Sequence, residues 1–150
     1  TKNADIECRL VPARFSERYY DLYAYYIEQR HADGDMYPPS RDQFTSFLVD
    51  GATDSWFLEM NLDGKLIGLA AVDLLNDGLS AIYTVFDPAY EHRSLGTFAI
   101  LWQLEEARRR ELPHVYLGYW IRECRKMNYK TRFRPIEALQ DGHWQVMKPE

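Results

Sequence analysis

Arg93-Ser94-Leu95-Gly96-Thr97-Phe98 opens the stretch that decides the fold. A helical run follows to about Arg110, then His114-Val115-Tyr116-Leu117-Gly118-Tyr119-Trp120-Ile121, then a basic segment ending in Phe133-Arg134-Pro135. The order reads as glycine-containing loop, helix, aromatic strand and basic helix. A loop at the mouth of a helix presents free backbone N–H groups, which suit an anionic or acyl ligand. The stretch therefore predicts a transferase site beside a surface for polyanions.

Working outward, Cys8 to Val11 reads as a first strand. Ser16 caps a helix whose Tyr19, Leu22, Tyr23, Tyr26 and Ile27 recur at helical spacing, stopping near Asp33-Gly34. Ser40-Arg41-Asp42-Gln43 is a Ser-x-x-Gln capping box opening a second helix, with Phe44, Phe47 and Leu48 facing inward. Three strands follow, at Ser55–Asn61, Leu66–Leu75 and Leu79–Phe86. Asp63-Gly64 and Asp77-Gly78 stand at their joints, so the three form an antiparallel meander.

Past Asp87-Pro88 the loop runs to Gly96. The next helix, from about Thr97 to Arg110, presents Ile100, Leu101, Leu104 and Ala107 as its buried stripe. Glu105–Arg109 and Glu106–Arg110 read as exposed i,i+4 pairs. His114 to Ile121 is a strand, about Ile121 to Lys130 a helix, and Phe133–Leu139 with His143–Met147 a last hairpin around Asp141-Gly142. One domain with an α/β (α+β) mixed, mostly antiparallel sheet flanked by helices accounts for this order. It is also the element order of the GNAT-type acyltransferase fold, which the chain resembles on that ground.

The 150 residues suffice for one well-packed core, and 46% hydrophobic with 27% charged residues is a globular profile. No apolar run reaches the roughly 18 residues of a membrane span, and two cysteines far apart in sequence make a reduced, cytoplasmic protein the expectation. Cys8 and Cys124 match no metal-ligand spacing, and neither do the four histidines. Asp33-x-Asp35 lacks the glutamate a calcium loop would place at position 44, which is Phe44. The start at Thr1, without methionine, reads as a fragment or a processed product.

Net charge is −5, yet Arg122, Arg125, Lys126, Lys130, Arg132 and Arg134 crowd one window with the single acid Glu123. That window carries +5 and leaves −10 on the remainder. On a helix, Arg122, Arg125, Lys126, Tyr129 and Lys130 fall within an arc of roughly 140°, opposite Ile121, Cys124, Met127 and Asn128. A solvated helix face normally mixes signs. This one does not, so RNA or phosphate contact is expected there.

Arg93-Ser94-Leu95-Gly96-Thr97-Phe98 matches the Arg/Gln-x-x-Gly-x-Gly/Ala coenzyme A loop of GNAT acetyltransferases at its first and fourth positions only. Phe98 fills the last, where a close backbone approach wants a small residue. Acetyl-CoA is therefore disfavoured as donor. Along the strand after it, His114, Tyr116, Gly118 and Trp120 share a face, and Tyr116 and Trp120 flanking a glycine suit the wall of a pocket.

Arg-His-x-Asp-Gly-Asp-Met-x-Pro-Pro-Ser (30–40), Asp-Gly-Leu-Ser-Ala-x-Tyr-Thr (77–84), Arg-Ser-Leu-Gly-Thr (93–97), Tyr-Leu-Gly-Tyr-Trp-Ile (116–121), Cys-Arg-Lys-Met-x-Tyr-Lys (124–130) and Phe-Arg-Pro (133–135) stand in this order. Together they resemble the arginyl- and leucyl-tRNA–protein transferases, most closely the bacterial aspartate/glutamate leucyltransferase branch. The resemblance implies transfer of leucine from leucyl-tRNA to the α-amino group of proteins beginning with Asp or Glu, which marks them for N-end-rule degradation. It also implies a cysteine-bearing N-terminal region that this chain lacks.

An aminoacyl ester is already activated, so the transfer needs no cofactor and no metal. Asp87, at the end of its strand, is the expected base or amine orienter. Arg30, His31 and Arg93 are candidates for the acceptor's carboxylate, Arg93 first because its loop opens the helix at Thr97, with a contact to the tRNA acceptor end as its alternative; Ser94 and Gly96 lie in the donor loop and Tyr116 and Trp120 at the pocket. Competing readings are an arginyl donor, a coenzyme A-dependent N-acetyltransferase and a non-catalytic tRNA-binding module.

Overall fold

The computed structural model describes residues 3–30, 32, 34, 37–50, 54–117, 136–140 and 143–146. It divides into two compact units, Thr1–Gly118 and Tyr119–Glu150.

In the first unit five strands form one sheet in the order β1-β2-β3-β4-β5: β1 (Glu7–Pro12), β2 (Asp54–Leu62), β3 (Lys65–Leu75), β4 (Gly78–Phe86) and β5 (His114–Tyr116). The first four pair antiparallel, and β5 lies parallel to β4. That one parallel join needs a crossover, supplied by helix α3 (Leu95–Arg109). Leu62 pairs with Lys65, so Asp63-Gly64 closes a two-residue hairpin. Their φ angles of 50° and 81° are the left-handed pair such a turn demands.

The second hairpin departs from expectation by one residue. Leu75 pairs with Gly78, so Asn76-Asp77 makes the turn and Gly78 already belongs to β4. The glycine is needed for a different reason. A Cβ there would stand 2.3 Å from the carbonyl oxygen of His114, so its lack of a side chain lets β5 close against β4. Asp77 fastens the same join, accepting from the His114 N–H at 3.2 Å and from the Tyr116 hydroxyl at 2.8 Å.

Helix α1 (Glu17–Arg30) lays Tyr19, Tyr23 and Ile27 on one face of the sheet, with Phe44, Phe57, Leu69 and Val85. Ser40 caps the short α2 (Arg41–Phe44) through the Gln43 N–H at 3.0 Å, as the capping box requires. The helix then passes into a π-helical turn, Thr45–Val49. Phe44 and Leu48 are buried, whereas Phe47 is exposed and lies against Tyr83. A period widened beyond 3.6 explains why the inward stripe skips it.

Glu59, on β2 beneath α1, is a buried carboxylate with every neighbour arranged for it. Tyr19 donates its hydroxyl, Asn61 its amide at 3.4 Å, and Arg18 and Arg9 stand 3.5 and 3.9 Å away. Burial alone would raise its pKa; the bonds from Tyr19 and Asn61 and the two arginines outweigh that and hold it below the ordinary value.

Helix α3 covers the opposite face, against β4 and β5. Its buried stripe differs from the expected one. Leu95, Ala99, Ile100, Gln103, Glu106 and Ala107 are inside, while Leu101 and Leu104 are exposed. Small Ala99 and Ala107 let the helix approach the sheet closely, which rotates the leucines outward. Glu106 is buried between Arg109 and Arg110, and Glu105 pairs with Arg108 and not with Arg109. No described helix is long and apolar enough to cross a membrane.

In the second unit, β6 (Glu137–Gln140) and β7 (His143–Val146) form an antiparallel hairpin, with Gln140 opposite His143 as the Asp141-Gly142 turn predicts.

Candidate active site

Strand β4 is paired on one side by β3 and, at its start, on the other by β5. Pairing with β5 covers Gly78–Ser80 against His114–Tyr116. Immediately afterwards the β3–β4 register shifts: Ala71 faces Tyr83 and Val72 faces Ala81, which leaves Ile82 as an extra residue. A bulge bends its strand and sharpens the local twist. From Ala81 to Phe86 the outer edge of β4 has no strand partner among the described residues.

The strand ends in a connector held at three points. Asp87 caps a 3₁₀ segment, Pro88–Arg93, accepting from the Ala89 N–H at 3.0 Å, while its other oxygen lies 3.3 Å from Lys65 Nζ. Glu91, in the middle, takes a 2.5 Å hydrogen bond from Arg30 at the end of α1. Arg93, at the end, forks onto both oxygens of Asp5 at 2.7 and 3.2 Å, and its carbonyl accepts from the Asn3 amide at 2.8 Å. The bond to Arg93 holds the Asp5 carboxyl below its usual range, and the bond to Asp87 raises Lys65. Ser94 then takes a left-handed conformation, φ 53° and ψ 53°, which turns the chain into α3. Leu95, Gly96 and Thr97 are the first residues of that helix, whose N–H groups have no carbonyl one turn earlier in the helix to bond.

Of the expected site residues, the structure thus gathers Arg30, Asp87, Arg93, Ser94 and Gly96 around the end of β4. It also gives three of them partners that sequence did not reveal. The Asp87 carboxylate is engaged on both oxygens as a cap and an ion pair, which makes it an anchor of the connector. The fork of Arg93 is filled by Asp5. Arg30 holds Glu91 and lies over the ring of Phe86, 5.3 Å from its centre.

Tyr116 stands elsewhere. It faces Ser80 in the ladder, six residues or about 20 Å along β4 from Phe86, and its hydroxyl is bonded to Asp77. His31, Trp120, Arg122, Arg125, Lys126, Lys130, Arg132 and Arg134 lie outside the described residues.

Residues passed over in the sequence line the α1 side of the same strand end. The Tyr26 ring lies 5.0 Å from Phe86 and 6.3 Å from Tyr83. Burial, then Tyr26 and Tyr23, push the Tyr83 phenol well above its usual range. The available signal was its place in the Asp-Gly-Leu-Ser-Ala-x-Tyr-Thr motif. Cys8 offers no nucleophile, since burial pushes its thiol up to about 11. Phe98 packs with the α3-side core beside Tyr90 and Trp102, filling the position where a coenzyme A loop is small.

Solved structures share this architecture. A ribosomal-protein-alanine N-acetyltransferase from Brucella melitensis biovar Abortus 2308 superposes with a TM-score of 0.61 over 95% of this chain and 98% of its own, at 15% identity. The fold is therefore the GNAT-like one that the element order predicted. Sequence relatives are far closer. The aspartate/glutamate leucyltransferase of Marinobacter nauticus is 80% identical over 149 residues, 99% of this chain and 63% of that protein. That of Pseudomonas fluorescens is 59% identical over 97% of this chain and 62% of its own. The chain thus spans a little over three fifths of the relatives it matches. Residues 18–140 match the family described as arginine-tRNA-protein transferase, C terminus, and the chain belongs to that family.

Proposed function

We propose that the chain is the catalytic portion of an aminoacyl-tRNA–protein transferase that moves leucine from leucyl-tRNA to the α-amino group of proteins with N-terminal Asp or Glu, in the cytoplasm, and so marks them for degradation. The observation that carries this reading is the 80% identity to a relative named for that activity. The bulged stretch of β4 beyond Ser80 supports it as the place where the chemistry occurs.

The donor ester enters from the side of α3, where Ser94 and Gly96 lie at the helix mouth. The acceptor enters from the side of α1, and the two meet at the edge of β4 beyond Ile82. The amine is the nucleophile, and with an ordinary pKa of about 7.7–8.0 a useful fraction is neutral near pH 7. Its attack on the ester carbonyl forms the C–N bond and a tetrahedral oxyanion, which N–H groups on the open β4 edge stabilise. Collapse breaks the bond to the tRNA ribose oxygen, which takes up the proton the amine loses. Holding the two reactants together is the main contribution, and the Asp87-anchored connector serves that end. The basic run Arg122–Arg134 binds the tRNA.

Transfer of labelled leucine or arginine from charged tRNA to Asp-, Glu- and Ala-starting peptides tests the reading, with acetyl-CoA as a third donor. Leucine on Asp and Glu peptides only is the expected result. Arginine in place of leucine would reassign the donor. Saturable use of acetyl-CoA, despite Phe98, would replace the reading by an N-acetyltransferase.

A further inference from the structure

Among the described residues, Lys65, Arg93 and Arg30 are cations bound to or following the end of β4, and their settings differ. Lys65 is spent on the Asp87 cap and lies over the Tyr90 ring. Arg93 makes a two-pronged contact with Asp5, far away in sequence, and its own backbone is tied to Asn3. That is a bidentate staple between chain segments. Arg30 meets Glu91 one-pronged, through one nitrogen and one oxygen.

The two ends of that pair are unequal. The Arg30 side chain is only 26% exposed, its guanidinium seated on the Phe86 ring, whereas Glu91 is 66% exposed on a short 3₁₀ segment. The cation is thus preorganised and the anion is readily displaced. Stacking a guanidinium on an aromatic face keeps its donor edge directed outward. Arg30 also stands at the end of α1, over the Phe86 ring that Tyr26 packs against.

We propose that Arg30 reads the side-chain carboxylate of the acceptor's N-terminal residue, and that Glu91 occupies this subsite until an acidic acceptor displaces it. The proposal rests on the transferase reading above. A carboxylate on a guanidinium at the strand's end leaves the acceptor's α-amino group one side-chain length away, a distance that suits Asp and Glu. A site that holds a half-buried cation for a carboxylate disfavours the neutral amide isostere, because the cation is then left without its counter-charge. Glu91 meanwhile keeps the empty subsite neutralised.

The test measures KM and kcat with Asp- and Asn-starting peptides, together with equilibrium binding of the same peptides in the absence of tRNA. Arg30→Ala is expected to raise KM for the Asp peptide at least tenfold and to bring the Asp/Asn preference close to one, with KM for leucyl-tRNA unmoved. Glu91→Gln, which keeps the shape of the segment, is expected to lower KM for the Asp peptide several-fold by removing the competitor. A retained Asp/Asn preference in folded Arg30→Ala, or an unchanged Asp-peptide KM in Glu91→Gln, would overturn the proposal. If Arg30→Ala fails to fold, Glu91→Gln decides alone. The binding arm separates the subsite from the chemistry. Preferential binding of Asp peptides without any transfer would sink the transferase reading and keep the carboxylate subsite, and transfer without Asp selectivity in binding would do the reverse.

Discussion

Gly78 shows how one residue can look right in sequence for the wrong reason. Asp77-Gly78 reads as a turn, but the turn is Asn76-Asp77 and the glycine serves the contact with His114. Backbone cannot retreat as a long side chain can, so Gly78→Ala is expected to cost about 1–3 kcal/mol, the usual range for overpacking. Urea denaturation measures it, and an unchanged midpoint would mean that β5 has room to shift. The same limit governs the charged residues of the site. Asp87, Arg93 and Arg30 were legible as candidates because loop and strand end can be located by pattern. Their partners Lys65, Asp5 and Glu91 were not, because Arg93 and Asp5 stand 88 positions apart and no periodicity reports such a pair.

At the scale of elements, strands were easier to read than helix faces. Each strand of the meander is bounded by turn residues, so its limits moved by a residue or two at most. For α3, hydrophobicity pointed to Leu101 and Leu104, yet Gln103 and Glu106 are the residues inside. The helix is oriented by close packing of Ala99 and Ala107, a matter of shape that a scale of hydrophobicity does not register. Gln103 is fully buried, and neither its amide oxygen nor its nitrogen finds a partner among the described residues. An unpaired buried polar group costs about 1–3 kcal/mol. Gln103→Met, similar in length and flexible enough to fill the same space, is therefore expected to raise the melting temperature. A fall would show that the amide is satisfied after all and contributes to the packing of α3.

Across the whole molecule, charge is distributed in a way that the fold alone does not require. The total of −5 would keep the protein away from RNA, and only the +5 window from Arg122 to Arg134 opposes it. A tRNA ligand must therefore be drawn to that window and repelled by most of the rest, so binding should depend steeply on a few cations. Lys126 and Lys130 share the polar arc that Ile121, Cys124 and Met127 leave open on an ideal helix. Reversing both charges, Lys126→Glu with Lys130→Glu, is expected to weaken tRNA binding at low salt by more than tenfold. It should also flatten the plot of log affinity against log salt concentration by about 0.7–0.9 for each phosphate that is no longer neutralised. Thermal melting separates this from unfolding, since surface charges away from packed features usually move stability by no more than about 0.5 kcal/mol. Weakened binding with an unaltered slope would mean that the lysines act on the shape of the site and touch no phosphate. Unchanged affinity in a folded variant would return them to an ordinary solvated face, and the tRNA would have to be held by Arg122, Arg125, Arg132 or Arg134.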